Sequence, residues 1–197
     1  MPKNTRRSHQ RRKRGNKMRK TYVLTGGPGV GKSSIILALE QKGYTVVREA
    51  AEDWIKLQQA KGIKQPWLEP DFQDQILKLQ KAREYKIRNS KNKVFIDRGT
   101  LDGLAYYQIN GKEPSKMMKT EILKLEKDKR YEKAFIIESL GSCETNDVRR
   151  ENLDEALKLE KLQEQNYKNL GYEVIRVPSG TVEERVGFLE REIRLKN

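Results

Sequence analysis

Eight consecutive residues, Gly26-Gly27-Pro28-Gly29-Val30-Gly31-Lys32-Ser33, restrict the fold of this chain more than any other segment. They satisfy G-x-x-x-x-G-K-[ST] and lie between an apolar run of strand length, Thr21–Thr25, and a helical pattern over 33–42 stopped by Gly43. Glycines let a backbone turn its N–H groups inward, and a following helix adds the positive end of its dipole. Strand, glycine loop and helix in that order predict a cradle for the polyphosphate of a nucleoside triphosphate. Lys32 is placed to neutralise β/γ oxygens, and Ser33 to offer its hydroxyl to Mg²⁺. The expected nucleotide-binding set is Gly26, Gly27, Pro28, Gly29, Val30, Gly31, Lys32, Ser33 and Ser34. A dinucleotide-type G-x-G-x-x-G does not fit, because Lys32 and Ser33 occupy the stretch its third glycine needs. The bland alternative is a glycine-rich turn arising by chance.

Downstream, short apolar runs alternate with longer helical patterns, which is the signature of a parallel α/β sheet. Strands are predicted over 21–25, 44–48, 93–97, 133–139 and 172–177. Helices are predicted over 33–42, 50–60, 71–89, 100–109, 115–127 and 153–170, the last with Asn152 as candidate cap and Gly171 as stop. In the helix over 71–89, Phe72, Ile76, Leu79 and Ile87 are expected to share one face. Thr181 and Glu184 form a capping box for a final helix whose Val182, Val186, Leu189 and Ile193 recur at helical spacing. No internal repeat interrupts the pattern. Residues 21–197 therefore read as one doubly wound domain, with a polar stretch over 140–151 as a candidate lid.

Charge is concentrated at one end. The 197 residues carry 42 Lys plus Arg against 28 Asp plus Glu, a formal charge of +14. Ten of the basic residues and no acid fall in residues 1–20, an arm with almost nothing to bury and expected to be disordered. The arm either binds nucleic acid or another anionic surface through counterion release, or only solubilises the chain. It lacks the apolar segment of a secretory signal. The one cysteine, Cys143, excludes an internal disulfide and a cysteine cluster for metal, and suggests a reducing compartment. The single histidine, His9, lies in the arm, so histidine chemistry is excluded from the predicted domain. No apolar run has membrane-spanning length. A cytoplasmic location is the expectation.

Open α/β sheets bind ligands at the carboxyl ends of their strands. Those ends carry Arg48-Glu49, Asp97-Arg98-Gly99 and Glu138-Ser139, followed by Asp147, Arg149 and Arg150. Carboxylates and guanidiniums around a phosphate cradle suit phosphoryl transfer. Asp97 ends a buried strand and is the candidate Mg²⁺ tether with Ser33 or the activator of a hydroxyl, or else a turn-initiating Asp. Glu49 is the candidate base for an acceptor hydroxyl, or else the first-turn acid of a helix. Arg98 is assigned to an acceptor phosphate or the transferring group, or to a surface pair with Asp102. Arg149, then Arg150, are candidate phosphate-binding arginines of the lid, or an exposed pair with Asp147 and Glu151. Trp54, Trp67, Tyr106 and Tyr107 either stack an acceptor ring or fill core and pocket walls.

These residues resemble a known family. Thr25 through Ser33, Arg48-Glu49-Ala50-Ala51, Phe95-Ile96-Asp97-Arg98-Gly99 with Asp102 and Tyr106-Tyr107, Asp147-Val148-Arg149-Arg150-Glu151 and Tyr167 through Tyr172 are similar to AAA-type P-loop ATPase domains of the NadR/TTD14-like group. The resemblance runs from about Thr21 to the C-terminus and leaves the arm outside. It implies a P-loop NTPase three-layer fold with a parallel sheet in the order 2-3-1-4-5, and ATP or GTP with Mg²⁺ as ligand. For kinase members it implies phosphorylation of a hydroxyl on a small nucleoside-like acceptor. It matches Lys32 and Ser33 to the nucleotide and magnesium positions, Asp97-Arg98 to the Asp-Arg element, Glu49 to the acid after strand two, and Arg149 to the lid arginine. Glu138 departs from the usual apolar strand-four end, as either a metal contact or a surface charge. The helical lid domain of ring-forming AAA machines is not evident, so no hexamer is inferred.

Three functions follow from these readings. The first is a kinase for a nucleoside-like hydroxyl. The second, motivated by the arm, is a nucleic-acid-binding ATPase or polynucleotide kinase. The third is a nucleotide switch or phosphoinositide-binding module with little turnover.

Overall fold

The computed structural model describes residues 20–139 and 153–194. The arm up to residue 19, Cys143, Asp147, Asn152, Arg149, Arg150 and the candidate lid segment lie outside the described residues. Five strands form one parallel sheet: β1 (Thr21–Thr25), β2 (Thr45–Val47), β3 (Val94–Asp97), β4 (Lys133–Ile137) and β5 (Glu173–Val177). Their order is β2-β3-β1-β4-β5, as the resemblance implies. The helices are α1 (Lys32–Gln41), α2 (Ala50–Ala60), α3 (Phe72–Lys86), α4 (Asp102–Ile109), α5 (Lys116–Asp128), α6 (Leu153–Asn169) and α7 (Val182–Glu192).

The alternation of side chains along each strand sorts the core into two layers. Tyr22, Leu24, Phe95 and Phe135 point to the face covered by Ile35, Ile36 and Leu39 of α1 and Val186 and Leu189 of α7. Val23, Val94, Ile96 and Ala134 point to the opposite face, where Leu101, Leu125, Tyr131, Tyr167 and Tyr172 pack. The three central strands are buried along their full length, which explains why their sequences read as continuous apolar runs. Full burial of one large apolar side chain contributes roughly 1.5–3 kcal/mol, and the sum over the two layers offsets most of the conformational entropy lost on folding.

Several boundaries differ from the sequence reading. Strand two covers only Thr45–Val47, at a half-exposed edge where pairing runs out early. Strand four stops at Ile137, so Glu138 lies just past the sheet. A 3-10 turn at Pro66–Leu68, opened by a proline, was not anticipated. Helix α3 ends at Lys86, and its buried residues are Phe72, Leu77, Gln80 and Glu84, so of the expected apolar set only Phe72 is buried within the helix. Ile76 lines the cavity and Ile87 packs against the core, but Gln80 and Glu84 also turn inward onto polar partners, which apolar periodicity does not reveal. Among the described residues no helix is long and apolar enough to cross a membrane.

Topology places the site. The chain leaves β1 toward β2 and β3 on one side and later adds β4 and β5 on the other, creating a switch point at the carboxyl end of β1. Register aligns Leu24 with Asp97, so the acid at the end of β3 lies beside the start of the glycine loop.

Candidate active site

The glycine loop sits against the backbones of its neighbours. Gly26 has φ 127°, and a Cβ there would lie 2.7 Å from the Ile137 carbonyl oxygen, so glycine is required both by conformation and by space. Its N–H donates to Gln163 Oε1 of α6 at 3.1 Å. Gly31, at φ 86°, is the N-cap of α1, which has neither a side-chain cap nor an acid in its first turn. That helix end is left to act on an anion.

Lys32 is buried at 5% exposure, and its Nζ donates to the carbonyls of Gly27 at 2.6 Å and Gly26 at 3.2 Å. Burial, reinforced by nearby Arg98, lowers its pKa to about 8. Ser33 donates its hydroxyl to Asp97 Oδ2 at 3.4 Å, and Asp97 Oδ1 is buried with no partner among the described residues. Burial and then the Glu49 charge raise the Asp97 pKa to about 7. Pro28, Gly29, Gly31, Lys32 and Ser33 line the cavity beside the loop, whereas Gly26, Gly27, Val30 and Ser34 do not.

Arg98 organises the rest. It is a non-glycine residue with φ 63°, a conformation costing of order 1 kcal/mol or more and kept only where surroundings enforce it. Here its N–H donates to Leu24 O at 2.9 Å, and its carbonyl accepts from Gln80 Nε2 at 2.8 Å. Its guanidinium donates to Glu49 Oε1 at 3.0 Å and to Gly26 O at 3.2 Å, and lies 3.6 Å from Asp102 Oδ2. Glu49 is the N-cap of α2 without a capping bond, so its carboxylate serves the cavity rather than the helix end. Arg83 fixes the α2 entry by donating to the carbonyls of Arg48 and Glu49, each at 2.9 Å.

The pairing of Arg98 with Asp102 is buried, not the surface pair considered from sequence. Asp102 also accepts from Thr25 Oγ1 at 2.6 Å and from Tyr167 OH at 2.7 Å, and burial raises its pKa. A second buried network lies behind it: Tyr131 OH donates to Glu84 at 3.1 Å, Thr100 Oγ1 to Glu121 at 3.0 Å, and Arg130 to Glu121 at 2.7 Å. Gly99 faces the Tyr131 and Tyr167 hydroxyls, where a Cβ would overlap the latter. Gln80, Gln163, Glu84 and Glu121 escaped sequence reasoning, since polar residues inside helical patterns read as solvent-facing, and Arg130 escaped it because it follows α5 in a connection. Thr25 and Tyr167 were visible only within the quoted motifs, without a role, and Asp102 only as a surface partner for Arg98.

One cavity of about 340 Å³ joins the phosphate loop to a recess between α2, α3, α4 and the 3-10 turn. Ile55, Trp67, Phe72, Ile76, Tyr106 and Tyr107 give the recess an apolar and aromatic wall. Glu49 and Arg98 stand on the same cavity lining as Lys32. Trp54 does not line it, which separates it from the other three aromatics singled out in the sequence. The Glu138 carboxylate does not line the cavity: it accepts from Arg176 Nε at 2.9 Å, and Arg176 also pairs with the buried Glu160 and with Glu164. Its pairing with Arg176 agrees with the surface-charge reading of Glu138.

A family model described as an AAA domain matches residues 21–185. The chain belongs to this family. Among curated proteins, no relative matches. Among solved structures, this AAA domain is similar to deoxyadenosine kinase from M. mycoides with bound dATP, at 16% identity and a TM-score of 0.58, covering 88% of this chain and 99% of that one. It is similar to the NadR protein in complex with NR, at 16% identity and a TM-score of 0.68, over 90% of this chain but only 50% of that protein. It is also similar to thymidylate kinase from Candida albicans, at 14% identity and a TM-score of 0.59, over 90% and 92% of the two chains. At these identities the likeness establishes the fold: a P-loop domain with the architecture of nucleoside and nucleotide kinases.

Proposed function

We propose that this AAA domain is a Mg²⁺-dependent phosphotransferase that moves the γ-phosphoryl group of ATP or GTP to a hydroxyl of a nucleoside-like small molecule. The observation carrying this reading is one continuous cavity with a phosphate loop at one end, an aromatic recess at the other, and the Glu49–Arg98 pair on its wall. The neighbouring fold adds support, because deoxyadenosine kinase with dATP and NadR with NR or with NAD and AMP-PNP are nucleotide- or nucleoside-associated by their own descriptions.

In this reading the loop amides and the α1 N-terminus hold the phosphates, and Lys32 leaves the loop carbonyls to meet β/γ oxygens. A planar acceptor lies among Trp67, Tyr106 and Tyr107. Glu49 receives the acceptor hydroxyl proton as the new O–P bond forms and the γ-phosphorus–oxygen bond to the diphosphate breaks. Arg98 holds Glu49 in place and adds positive charge near the migrating group. Arg149 and Arg150 are proposed to close over the phosphates from the lid.

The donor set suits Mg²⁺. The partnerless Asp97 Oδ1, with Ser33 Oγ near its sister oxygen, offers one carboxylate and one hydroxyl. Among the described residues no cluster of three His, Cys, Asp or Glu forms a self-sufficient metal cage. Mg²⁺ is typically held by one or two protein oxygens together with substrate phosphates and water. When bound, it would neutralise charge on those phosphates.

A γ-phosphate transfer screen tests the reading: labelled ATP and GTP against nucleosides, with RNA termini included because residues 1–20 favour a polyanionic acceptor. A labelled nucleoside is the expected product, formed at least about 100-fold more slowly by Glu49→Gln, the usual scale for loss of a general base. Asp97→Asn should keep metal-free nucleotide binding and lose the Mg²⁺-dependent rate. Labelling of RNA ends alone would replace the acceptor class, and no product from any acceptor would favour the switch reading. The NadR-like subgroup and cytoplasmic location belong to the same proposal.

A further inference from the structure

Behind the phosphate loop lies a charge not used in the scheme above. Arg185 of α7 is buried at 3% exposure. Its Nη1 donates to Val30 O at 2.7 Å, its Nη2 lies 3.3 Å from Glu138 O, and its Nε has no partner among the described residues. Among those residues no carboxylate forms an ion pair with it; the Glu138 carboxylate is turned to Arg176. A guanidinium held by carbonyls retains its charge, because arginine does not lose its proton in proteins.

The placement of that charge has a geometric effect. The Val30–Gly31 peptide is trans, as are all peptide bonds among the described residues. In a planar trans peptide the C=O and the N–H point in opposite directions. Arg185 grips the carbonyl from the outer side, and Nη1 lies 3.5 Å from the position a Gly31 Cβ would take. The Gly31 N–H is therefore directed away from Arg185, and Gly31 lines the cavity. A cation on the carbonyl also polarises the peptide and strengthens its N–H as a donor.

We propose that Arg185 is a positioning residue for the nucleotide, acting through the Val30–Gly31 peptide to aim the Gly31 N–H at a phosphate oxygen. This rests on nucleotide binding at the loop, as proposed above. Because the guanidinium never touches the ligand, its effect should grow with the number of phosphates in the cradle and be indifferent to the base.

The test is calorimetric, on the full chain, with ADP and AMP and with GDP and GMP. Arg185→Met should weaken diphosphate binding about tenfold or more, the scale of one charge-assisted hydrogen bond. Monophosphate binding should change by less than about threefold, so the diphosphate preference collapses. Arg185→Lys, which keeps the charge but loses the fork, should fall between wild type and Met, and it carries the test if the Met variant does not fold. Leu189→Ala, one turn along the same helix and fully buried, provides a destabilised control that should leave the preference intact. Equal losses for mono- and diphosphate, an unaltered preference in both Arg185 variants, or the same collapse in Leu189→Ala would each overturn the inference. If the wild-type protein bound none of the four nucleotides, the proposed function itself would fail, a separate outcome.

Discussion

The two ends of the cavity are built by opposite means. The phosphate end is made of backbone held in place by buried charge: glycines pressed against neighbouring main chain, Lys32 and Arg98 drawn onto loop carbonyls, and Asp97 and Asp102 beneath them. The recess is made of side chains contributed by four separate elements, and its lip includes Leu68 at 70% exposure. Backbone amides recognise what all nucleotides share, whereas a side-chain wall is free to vary with the acceptor. Catalytic precision should therefore concentrate at the first end and selectivity at the second.

Lys32→Ala attacks the braced end and should have the largest effect. Transfer rate should fall at least about 1,000-fold, as loss of a cation poised on the migrating charge does elsewhere. Arg98 still donates to Gly26 O and stands beside Asp102, and Asp97 can take up a proton near pH 7, so the nucleotide-free protein should remain folded although the Gly27 carbonyl loses its donor. Stopped-flow or quenched transfer kinetics with circular dichroism would check both; a drop of less than tenfold would mean the loop amides alone suffice.

The same contrast explains what could be read from the sequence. The phosphate loop, all five strands and the residues at strand ends were legible because local patterns specify them: a fixed spacing of Gly26, Gly31, Lys32 and Ser33, and unbroken apolar runs such as Val94-Phe95-Ile96. Gln80 and Glu84 were not, because they sit at polar positions of α3 yet face Arg98 and Tyr131 across long sequence separations. Arg185 lies 155 residues from the carbonyl it grips, and no local pattern marks it. The recess was legible only as a set of aromatics, of which Trp67, Tyr106 and Tyr107 converge and Trp54 does not.

Ionisation provides the next test of the braced end. Without ligand the Asp97 carboxyl holds its proton up to about pH 7, whereas a carboxylate is needed to hold Mg²⁺. Below pH 7, Mg-nucleotide binding must release that proton, so affinity should fall about tenfold per pH unit as the medium becomes more acidic. Lys32 begins to lose its proton near pH 8, and phosphate binding requires that proton back, so affinity should also fall on the alkaline side. The expected profile peaks between about pH 7 and 8, and Asp97→Asn should erase the acid limb only. Calorimetry from pH 5.5 to 9.5 would show it, and a flat profile would uncouple both groups from the ligand.

At the recess, Trp67→Ala should raise the acceptor KM about tenfold, the value of one aromatic contact, with nucleotide affinity unchanged. A matching loss of nucleotide affinity would mean that the two ends are not separable.

The smallest effect is expected at the lip. Leu68 lines the cavity but is mostly in water, and substitution of such a residue changes free energy by less than about 0.5 kcal/mol. Leu68→Ser should therefore alter acceptor KM by less than about threefold if the recess receives its ligand as an open wall. An increase as large as that of Trp67→Ala would show Leu68 buried in the bound state, and hence the 3-10 turn closing onto the acceptor. The recess would then acquire its order from the substrate, while the phosphate end already has its order from the fold.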